Sequence, residues 1–239
     1  MIQFYSPEIE TSGLLSEEES GHCIRVLRKK VGDEIIVIDG FGKRFHCVIT
    51  DTRQKKVKVE IISSEECEKD RDFFISLAVA PTKNLDRMEW MVEKAIEIGV
   101  DRIDFIRCQR SERKDLKLDR LQRIAVSAMK QSLKCRLTQL DYYPSMEAYL
   151  KILEPDSQKF IGYCDDCYER KELAREIKPG KDVEILIGPE GDFTPEEIEK
   201  TVNKGFMPVT FGKMRLRTET AAIYGLCAIQ VVNNLKLNS

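Results

Sequence analysis

The sequence predicts an α/β protein, in which a domain built on a parallel sheet covered by helices follows a small β-rich domain. From residue 73 onward, apolar segments of strand length alternate with helical patterns, an order that favours a parallel sheet. Residues 1–70 instead contain three strand-like runs, tight turns and one short helix, which is typical of a small barrel. A charged stretch at residues 65–72 separates the two patterns. We therefore predict domains at residues 1–70 and 73–239.

The composition is that of a globular protein with a sizeable core. Of 239 residues, 42% are hydrophobic and 33% are charged, and the formal net charge of −2 gives no overall field that would attract nucleic acid. No apolar run approaches the ~20 residues of a membrane span, and the first residues lack a signal-peptide pattern. We expect a cytoplasmic protein without membrane contact, and we expect its eight cysteines to be reduced.

Cys164 and Cys167 form a Cys-x-x-C pair. A zinc site normally needs a second pair of ligands at similar spacing, and no such pair follows in the sequence. We therefore interpret the pair as part of a plain loop and predict no metal site.

One helix and three strands are predicted in the first domain. Ser16 and Glu19 have the spacing of a capping box, which opens a helix that runs through Arg28. Residues 22–30 are locally basic, which fits either a solvated helix end or contacts with phosphate. The predicted strands are Glu34–Asp39, Arg44–Asp51 and Lys56–Ile62.

The second domain begins with a strand, a helix and another strand. Phe73–Ala80 is an apolar run of buried-strand length, and the segment after it is apolar on one helical face until Gly99. The further predicted strands are Arg102–Arg107, Lys159–Tyr163, Val183–Ile187 and Val209–Phe211.

Two glycine-containing loops follow two of these strands. Ile187–Gly191 precedes a helix that Thr194 and Glu197 begin as a capping box, and Met214–Ala221 precedes the last helix. Ligands of open α/β sheets bind at the carboxyl ends of strands, so we interpret the pair as a cofactor site, with structural turns as the alternative. The sequence contains neither a P-loop nor a dinucleotide-binding motif.

Two helices carry further information. From Arg113 to Arg136 there are eight basic residues and two acidic ones, an excess that indicates phosphate contacts, although a solvated face remains the alternative. The last helix, from about Glu219 to Leu235, is apolar nearly all round. Such a helix must be covered on every face, so we predict that it packs in a subunit interface.

The loops Leu186–Gly191 and Leu216–Ala222 closely resemble those of the RsmE family, which comprises SPOUT-class methyltransferases that modify N3 of a uridine in small-subunit ribosomal RNA. His22 and Val26–Arg28 resemble the motif of its N-terminal PUA-like RNA-binding domain, and the resemblance covers nearly the whole chain. Asp192 departs from the family, which usually has a further glycine there. So do Lys134, at a position that is usually arginine, and Gln3, at the place of an arginine near the start.

The resemblance implies a trefoil-knotted parallel-sheet methyltransferase domain after a PUA-like β-barrel domain. It implies S-adenosyl-L-methionine as cofactor, 16S ribosomal RNA of the small ribosomal subunit as substrate, and a homodimer with the knot helix in its interface. The alternatives are a catalytically silent, ribosome-associated RNA-binding protein, and a SPOUT methyltransferase that acts on a different RNA position.

Arg217 is the first candidate for stabilising the uridine anion, because the second loop would hold it beside the cofactor. Glu219 would orient Arg217, act as the base, or be only a partner of the helix dipole. The predicted cofactor-binding residues are Leu186, Ile187, Gly188, Glu190, Gly191, Leu216, Arg217, Thr218 and Ala221. The predicted RNA-binding residues are His22, Arg25, Arg28, Lys83, Arg87, Arg120, Arg123, Lys130, Gln131, Lys134 and Arg136.

Overall fold

The computed structural model describes residues 2–53, 55–69, 71–113, 115–165 and 168–237. The chain forms two compact units, one from Met1–Asp70 with Val126–Leu137 and the other from Arg71–Ala125 with Thr138–Ser239. The domains 1–70 and 73–239 stay a prediction, and the compact units differ from them because Val126–Leu137 packs with the smaller unit. No helix among the described residues is long and apolar enough to cross a membrane.

The smaller unit contains a four-stranded sheet in the order β1-β2-β3-β4, in which only the first pair is parallel. Its elements are β1 (Gln3–Tyr5), α1 (Ile9–Ser12), α2 (Glu17–Gly21), β2 (Glu34–Ile38), β3 (Lys43–Asp51) and β4 (Lys58–Glu66). The three predicted strands are confirmed as β2, β3 and β4. Strand β1 is too short for a two-residue periodicity to reveal it, and β4 extends through Glu66 into the stretch predicted as a linker.

The helix predicted through Arg28 is interrupted. Ser16 caps α2 by accepting a hydrogen bond from the Glu19 amide (3.1 Å), but the Glu19 carboxylate pairs with Lys130 (2.5 Å) and leaves the capping box half formed. After Gly21 the backbone widens into a π-helical turn at His22–Val26.

The larger unit contains a seven-stranded, wholly parallel sheet in the order β7-β6-β5-β10-β8-β11-β9. Its strands are β5 (Ile75–Val79), β6 (Arg102–Ile106), β7 (Gln139–Tyr143), β8 (Gln158–Gly162), β9 (Lys171–Glu172), β10 (Val183–Ile187) and β11 (Met207–Thr210). The predicted parallel sheet is therefore confirmed. The sequence did not reveal β7 and β9, because β7 is a half-buried edge strand and β9 has only two residues.

Helices connect these strands in the chain. They are α3 (Leu85–Ile98), α4 (Leu118–Gln131), α5 (Met146–Tyr149), α6 (Leu173–Glu176), α7 (Pro195–Val202) and α8 (Thr218–Asn234). As predicted, α3 ends at Gly99, whose φ of 116° favours glycine. The predicted capping box of α7 is also confirmed, because Thr194 and Glu197 each accept a hydrogen bond from the other's backbone amide. Helix α8 packs against α3 and β10.

A buried ionic cluster is formed by residues of β6 and β10. Arg102 contacts Asp104 (Nε to Oδ2, 2.9 Å) and Glu184 (Nη2 to Oε1, 3.7 Å). Burial raises the pKa of Asp104 to about 7, although Arg102 opposes the shift. Burial also raises the pKa of Glu184, which accepts a hydrogen bond from the Tyr149 hydroxyl. Two carboxylates therefore share one guanidinium group away from water.

The expectation of reduced thiols is wrong for one pair of cysteines. Cys67 and Cys135 form a disulfide within the smaller unit, with their Cα atoms 6.3 Å apart. They are 68 residues apart in the chain, and they meet because Val126–Leu137 packs with the first 70 residues. The free cysteines in the described part of the chain are Cys23, Cys47, Cys108, Cys164 and Cys227.

Candidate active site

The first glycine loop leaves the buried strand β10 and turns sharply. The Asp192 amide donates a hydrogen bond to the Pro189 carbonyl (2.9 Å). The ring of the fully buried Phe193 lies over Gly188, where a Cβ atom would approach it to 3.0 Å. Glycine at position 188 therefore lets the loop close directly over its own aromatic residue.

The second loop leaves β11 and is joined to the first loop by a buried hydrogen bond. Gly212 has a φ of 101°, which favours glycine, and its carbonyl accepts a hydrogen bond from the Thr210 hydroxyl (3.0 Å). The Thr218 hydroxyl donates to the Gly188 carbonyl (2.9 Å), and this bond is buried. The two glycine loops, which are separate in the sequence, are thus connected in the structure by this hydrogen bond.

Both loops border a cavity of about 760 Å³, a size typical of ligand sites. Because β8, β10 and β11 are neighbouring parallel strands, their following loops meet at the same edge of the sheet. The predicted cofactor-binding residues in its wall are Ile187, Gly188, Glu190, Leu216, Arg217, Thr218 and Ala221. Leu186 and Gly191 are not in the wall: Leu186 is wholly buried in the core, and Gly191 packs against Arg110.

The two predicted catalytic residues both line this cavity. Arg217 is exposed at the N-cap position of α8, whereas the Glu219 side chain is only 9% exposed. The ion pair that the structure shows for Glu219 is with Arg87 on α3 (3.7 Å). Arg87 lies in the cavity wall and forms this ion pair, and its predicted binding of RNA stays a prediction.

A third loop, which follows β8, also lines the cavity. It contributes Tyr163, Cys164 and Arg170, and Arg170 donates to the Tyr163 carbonyl (2.7 Å) while lying over the Tyr163 ring. The sequence predicted the strand at Lys159–Tyr163 that precedes this loop. It did not reveal that this strand lies between β10 and β11, because the order of strands in the sheet differs from their order in the chain. Cys167 lies outside the described residues, and no metal-binding cluster occurs among the described ones.

The smaller unit presents some of its predicted RNA-binding residues to solvent and uses others internally. Arg25, Arg28 and Gln131 are exposed, and His22 and Lys134 are partly buried. By contrast, Lys130 is paired with Glu19, and Arg136 donates to the Phe41 carbonyl.

The larger unit holds the remaining predicted RNA-binding residues. Lys83 forms an exposed ion pair with Glu112 (3.0 Å), and Arg120 pairs with Glu89 on α3 (2.5 Å). Arg123 is exposed. Arg113, in the basic stretch, donates to the carbonyls of residues 82 and 83, whereas Lys114 lies outside the described residues.

Comparisons with known proteins agree with this arrangement. A family model described as an RNA methyltransferase domain matches residues 69–230, and one described as an RNA methyltransferase PUA domain matches residues 15–62. The ribosomal RNA small subunit methyltransferase E of Aquifex aeolicus is 30% identical over 93% of this chain and 96% of its own length.

Solved structures give the same result. A probable rRNA-methyltransferase from Porphyromonas gingivalis is 40% identical, with a TM-score of 0.94 over 99% of this chain and 100% of that one. A ribosomal RNA small subunit methyltransferase E from Neisseria gonorrhoeae, bound to S-adenosyl methionine, is 27% identical, with a TM-score of 0.83 over 98% of each chain. The chain thus belongs to the RNA methyltransferase family that includes ribosomal RNA small subunit methyltransferase E.

Proposed function

We propose that this protein transfers a methyl group from S-adenosyl-L-methionine to N3 of a uridine in 16S ribosomal RNA of the small ribosomal subunit, in the cytoplasm. The observation that carries the proposal is the cavity at the carboxyl ends of three neighbouring strands, with Arg217 at its wall. Membership of the RNA methyltransferase family supports it.

The cavity fits such a cofactor. Gly188 and Gly212 both line the cavity, and the exposed backbone at Gly212 would pair with the edge of an adenine or with a ribose. Apolar side chains of Ile187, Phe211 and Leu216 supply surface for the base. The trefoil knot that the resemblance implies stays a prediction.

In this reaction the protein would mainly position the uridine beside the cofactor and stabilise the charge that develops on the base. The bound cofactor supplies an electrophilic methyl group. N3 of the uridine would lose its proton to water or to a carboxylate before it takes the methyl group, so negative charge would develop on the base between the two events. Formation of the N3–CH3 bond would break the S–CH3 bond of the cofactor and release S-adenosylhomocysteine, which leaves the base neutral. The Arg217 guanidinium, exposed at the cavity wall, would stabilise that charge. Arg87, which pairs with Glu219, places a second guanidinium group in the same wall.

Methyl transfer from radiolabelled cofactor to isolated small subunits and to naked 16S ribosomal RNA tests this function. The modified position is then mapped by reverse transcription, because a methyl group at N3 blocks the base-pairing edge and stops the polymerase. A stop in wild-type RNA that is missing in a deletion strain supports the proposal. A stop at a base other than uridine would establish the alternative, action on a different RNA position.

A catalytically silent RNA-binding protein is the second candidate. Exposed Arg25, Arg28 and Arg123 are suited to phosphate contacts in either case. Calorimetric titration with S-adenosyl-L-methionine distinguishes the methyltransferase from the silent RNA-binding protein, because only the enzyme needs to bind the cofactor. Absence of binding would reject the enzyme.

Removing the hydroxyl that joins the two loops is expected to weaken cofactor binding. Thr218→Val leaves the buried Gly188 carbonyl without its donor, which costs about 1–3 kcal/mol. We expect a higher Kd for S-adenosyl-L-methionine by calorimetry. Thr218→Ser keeps the hydroxyl and is expected to bind the cofactor nearly as the wild type does; equal Kd values for the valine variant and the wild type would contradict the linking role.

The surface of α8 and α3 supports a homodimer. In the single chain, apolar side chains there remain exposed, including Trp90 (46%), Tyr224 (46%) and Val231 (51%). Large exposed apolar surface on a folded chain marks an interaction site. A second copy of the chain would cover it, as the apolar character of the last helix predicts.

A charge at an exposed apolar position of α8 is expected to dissociate the dimer. Val231→Glu would place a carboxylate in the dimer interface, so we expect a monomer at micromolar concentration by light scattering. Ile152→Glu, at another exposed apolar position of the larger unit, is the matched control and stays dimeric. A monomeric wild-type protein would refute the dimer.

A further inference from the structure

Asp192 is unusual in both its sequence context and its conformation. It stands in the first glycine loop where the resembling family usually has glycine. Its φ of 62° lies in the left-handed region, which aspartate tolerates better than most residues but which glycine adopts without strain. The aspartate side chain is therefore not required by the backbone conformation.

The Asp192 carboxylate bridges two of the three loops around the cavity. One oxygen, Oδ2, accepts hydrogen bonds from the backbone amides of Cys164 (2.9 Å) and Asp165 (3.1 Å) in the loop after β8. The other oxygen, Oδ1, accepts from the amide of Phe193 (2.9 Å) in its own loop. These are charge-assisted bonds from amides to a carboxylate, which are stronger than neutral ones.

The bridged loop forms part of the cavity wall. Tyr163, Cys164 and Arg170 line it from this side, and Asp192 itself lines it from the other. Thr218 already connects the first loop to the second. Asp192 completes the connection, so that all three loops are joined through the turn after β10.

We propose that Asp192 is a positioning residue, whose carboxylate holds residues 163–165, at the start of the loop after β8, in place as part of the third wall of the cofactor cavity. The inference rests on the proposed binding of S-adenosyl-L-methionine. Asp192 acts through Cys164 and Asp165, so its effect on the cofactor is one of geometry and is independent of the cofactor's charge.

The main test compares Asp192→Gly with the wild type. The glycine variant keeps the left-handed turn and loses the bridge, so its effect is free of backbone strain. We expect its Kd for S-adenosyl-L-methionine to rise about tenfold, since about 1.4 kcal/mol corresponds to this factor. KM for the cofactor should rise while kcat stays within a few-fold. Hydrogen exchange at the amides of Cys164 and Asp165 should accelerate.

Two variants sharpen the comparison. Asp192→Asn retains one oxygen that can accept the bonds from Cys164 and Asp165, and it is expected to restore most of the affinity. Glu199→Gln removes one exposed negative charge from α7 and is expected to leave the cofactor Kd unchanged.

Titration with S-adenosylhomocysteine, which lacks the sulfonium charge of the cofactor, separates geometry from charge. Positioning predicts equal weakening of both ligands in Asp192→Gly. Weakening confined to the charged ligand, equally strong in the asparagine variant, would overturn the proposal, as would unchanged Kd and exchange in the glycine variant. Failure of the wild type to bind S-adenosyl-L-methionine would instead refute the proposed function, which keeps the two outcomes distinct.

Discussion

Arg217→Ala is expected to lower kcat for methyl transfer by roughly 10²–10³-fold, the effect of removing one preorganised electrostatic group. Arg217 stands at the N-cap position of α8, and its exposed side chain lines the cavity. The charge that it would stabilise develops only as N3 loses its proton. The loss should therefore appear in kcat, with the Kd of S-adenosyl-L-methionine changed only a few-fold.

Two variants serve as controls for Arg217. Arg217→Lys keeps the positive charge but loses the planar fork, so its kcat is expected to lie between those of the wild type and the alanine variant. Arg175→Ala removes an exposed arginine from α6 and should leave kcat unchanged. Full turnover by Arg217→Ala, or a loss found wholly in cofactor affinity, would contradict the catalytic assignment.

Arg102→Met is expected to destabilise the larger unit by about 3–5 kcal/mol, the usual cost of removing one partner from a buried ion pair. Asp104 and Glu184 would be left without their common guanidinium group, in a site where their side chains are 0% and 2% exposed. Urea unfolding measures the loss. Fluorescence of Trp90, the one tryptophan, reports on α3 in this unit.

The destabilisation should depend on pH with a defined sign. In the wild type the pKa of Asp104 is raised from 3.8 to about 7. The folded state therefore holds a proton that the unfolded state has released, and stability falls as pH rises across this range. Removal of Arg102 eliminates a charge that lowers the pKa of Asp104. In the Arg102→Met variant that pKa therefore rises further, and the free energy of unfolding continues to fall up to a higher pH.

The pH comparison also provides a direct check of this cluster. The destabilisation of Arg102→Met should be smaller at pH 5 than at pH 8.5, and adding Asp104→Asn should restore part of the stability at pH 8.5. Asp104→Asn alone should flatten the dependence between pH 4 and 7. An equal loss at both pH values would show that the cluster acts through packing and not through charge.

Local patterns predicted the elements of this protein well. The capping box of α7 and the glycine that ends α3 depend on interactions within a few residues, so the sequence alone reveals them. The apolar runs that form β5 and β10 are also recognisable in the sequence, because a strand buried on both faces of a parallel sheet is mostly apolar. By contrast, the short strands β1 and β9 are formed by pairing with neighbours that are distant in the chain.

The features of the candidate site also fall into those that local sequence predicts and those that depend on the fold. The fold class and the two glycine loops at strand ends follow from the sequence, because strand periodicity and turn residues are local features. The family was indicated by the resemblance of the loop motifs. Three features of the site are visible only in the folded chain: the loop after β8 is a third wall, Glu219 pairs with Arg87, and Asp192 bridges two loops. The reason is that each of these contacts joins residues far apart in sequence, and strand order in the sheet places them side by side.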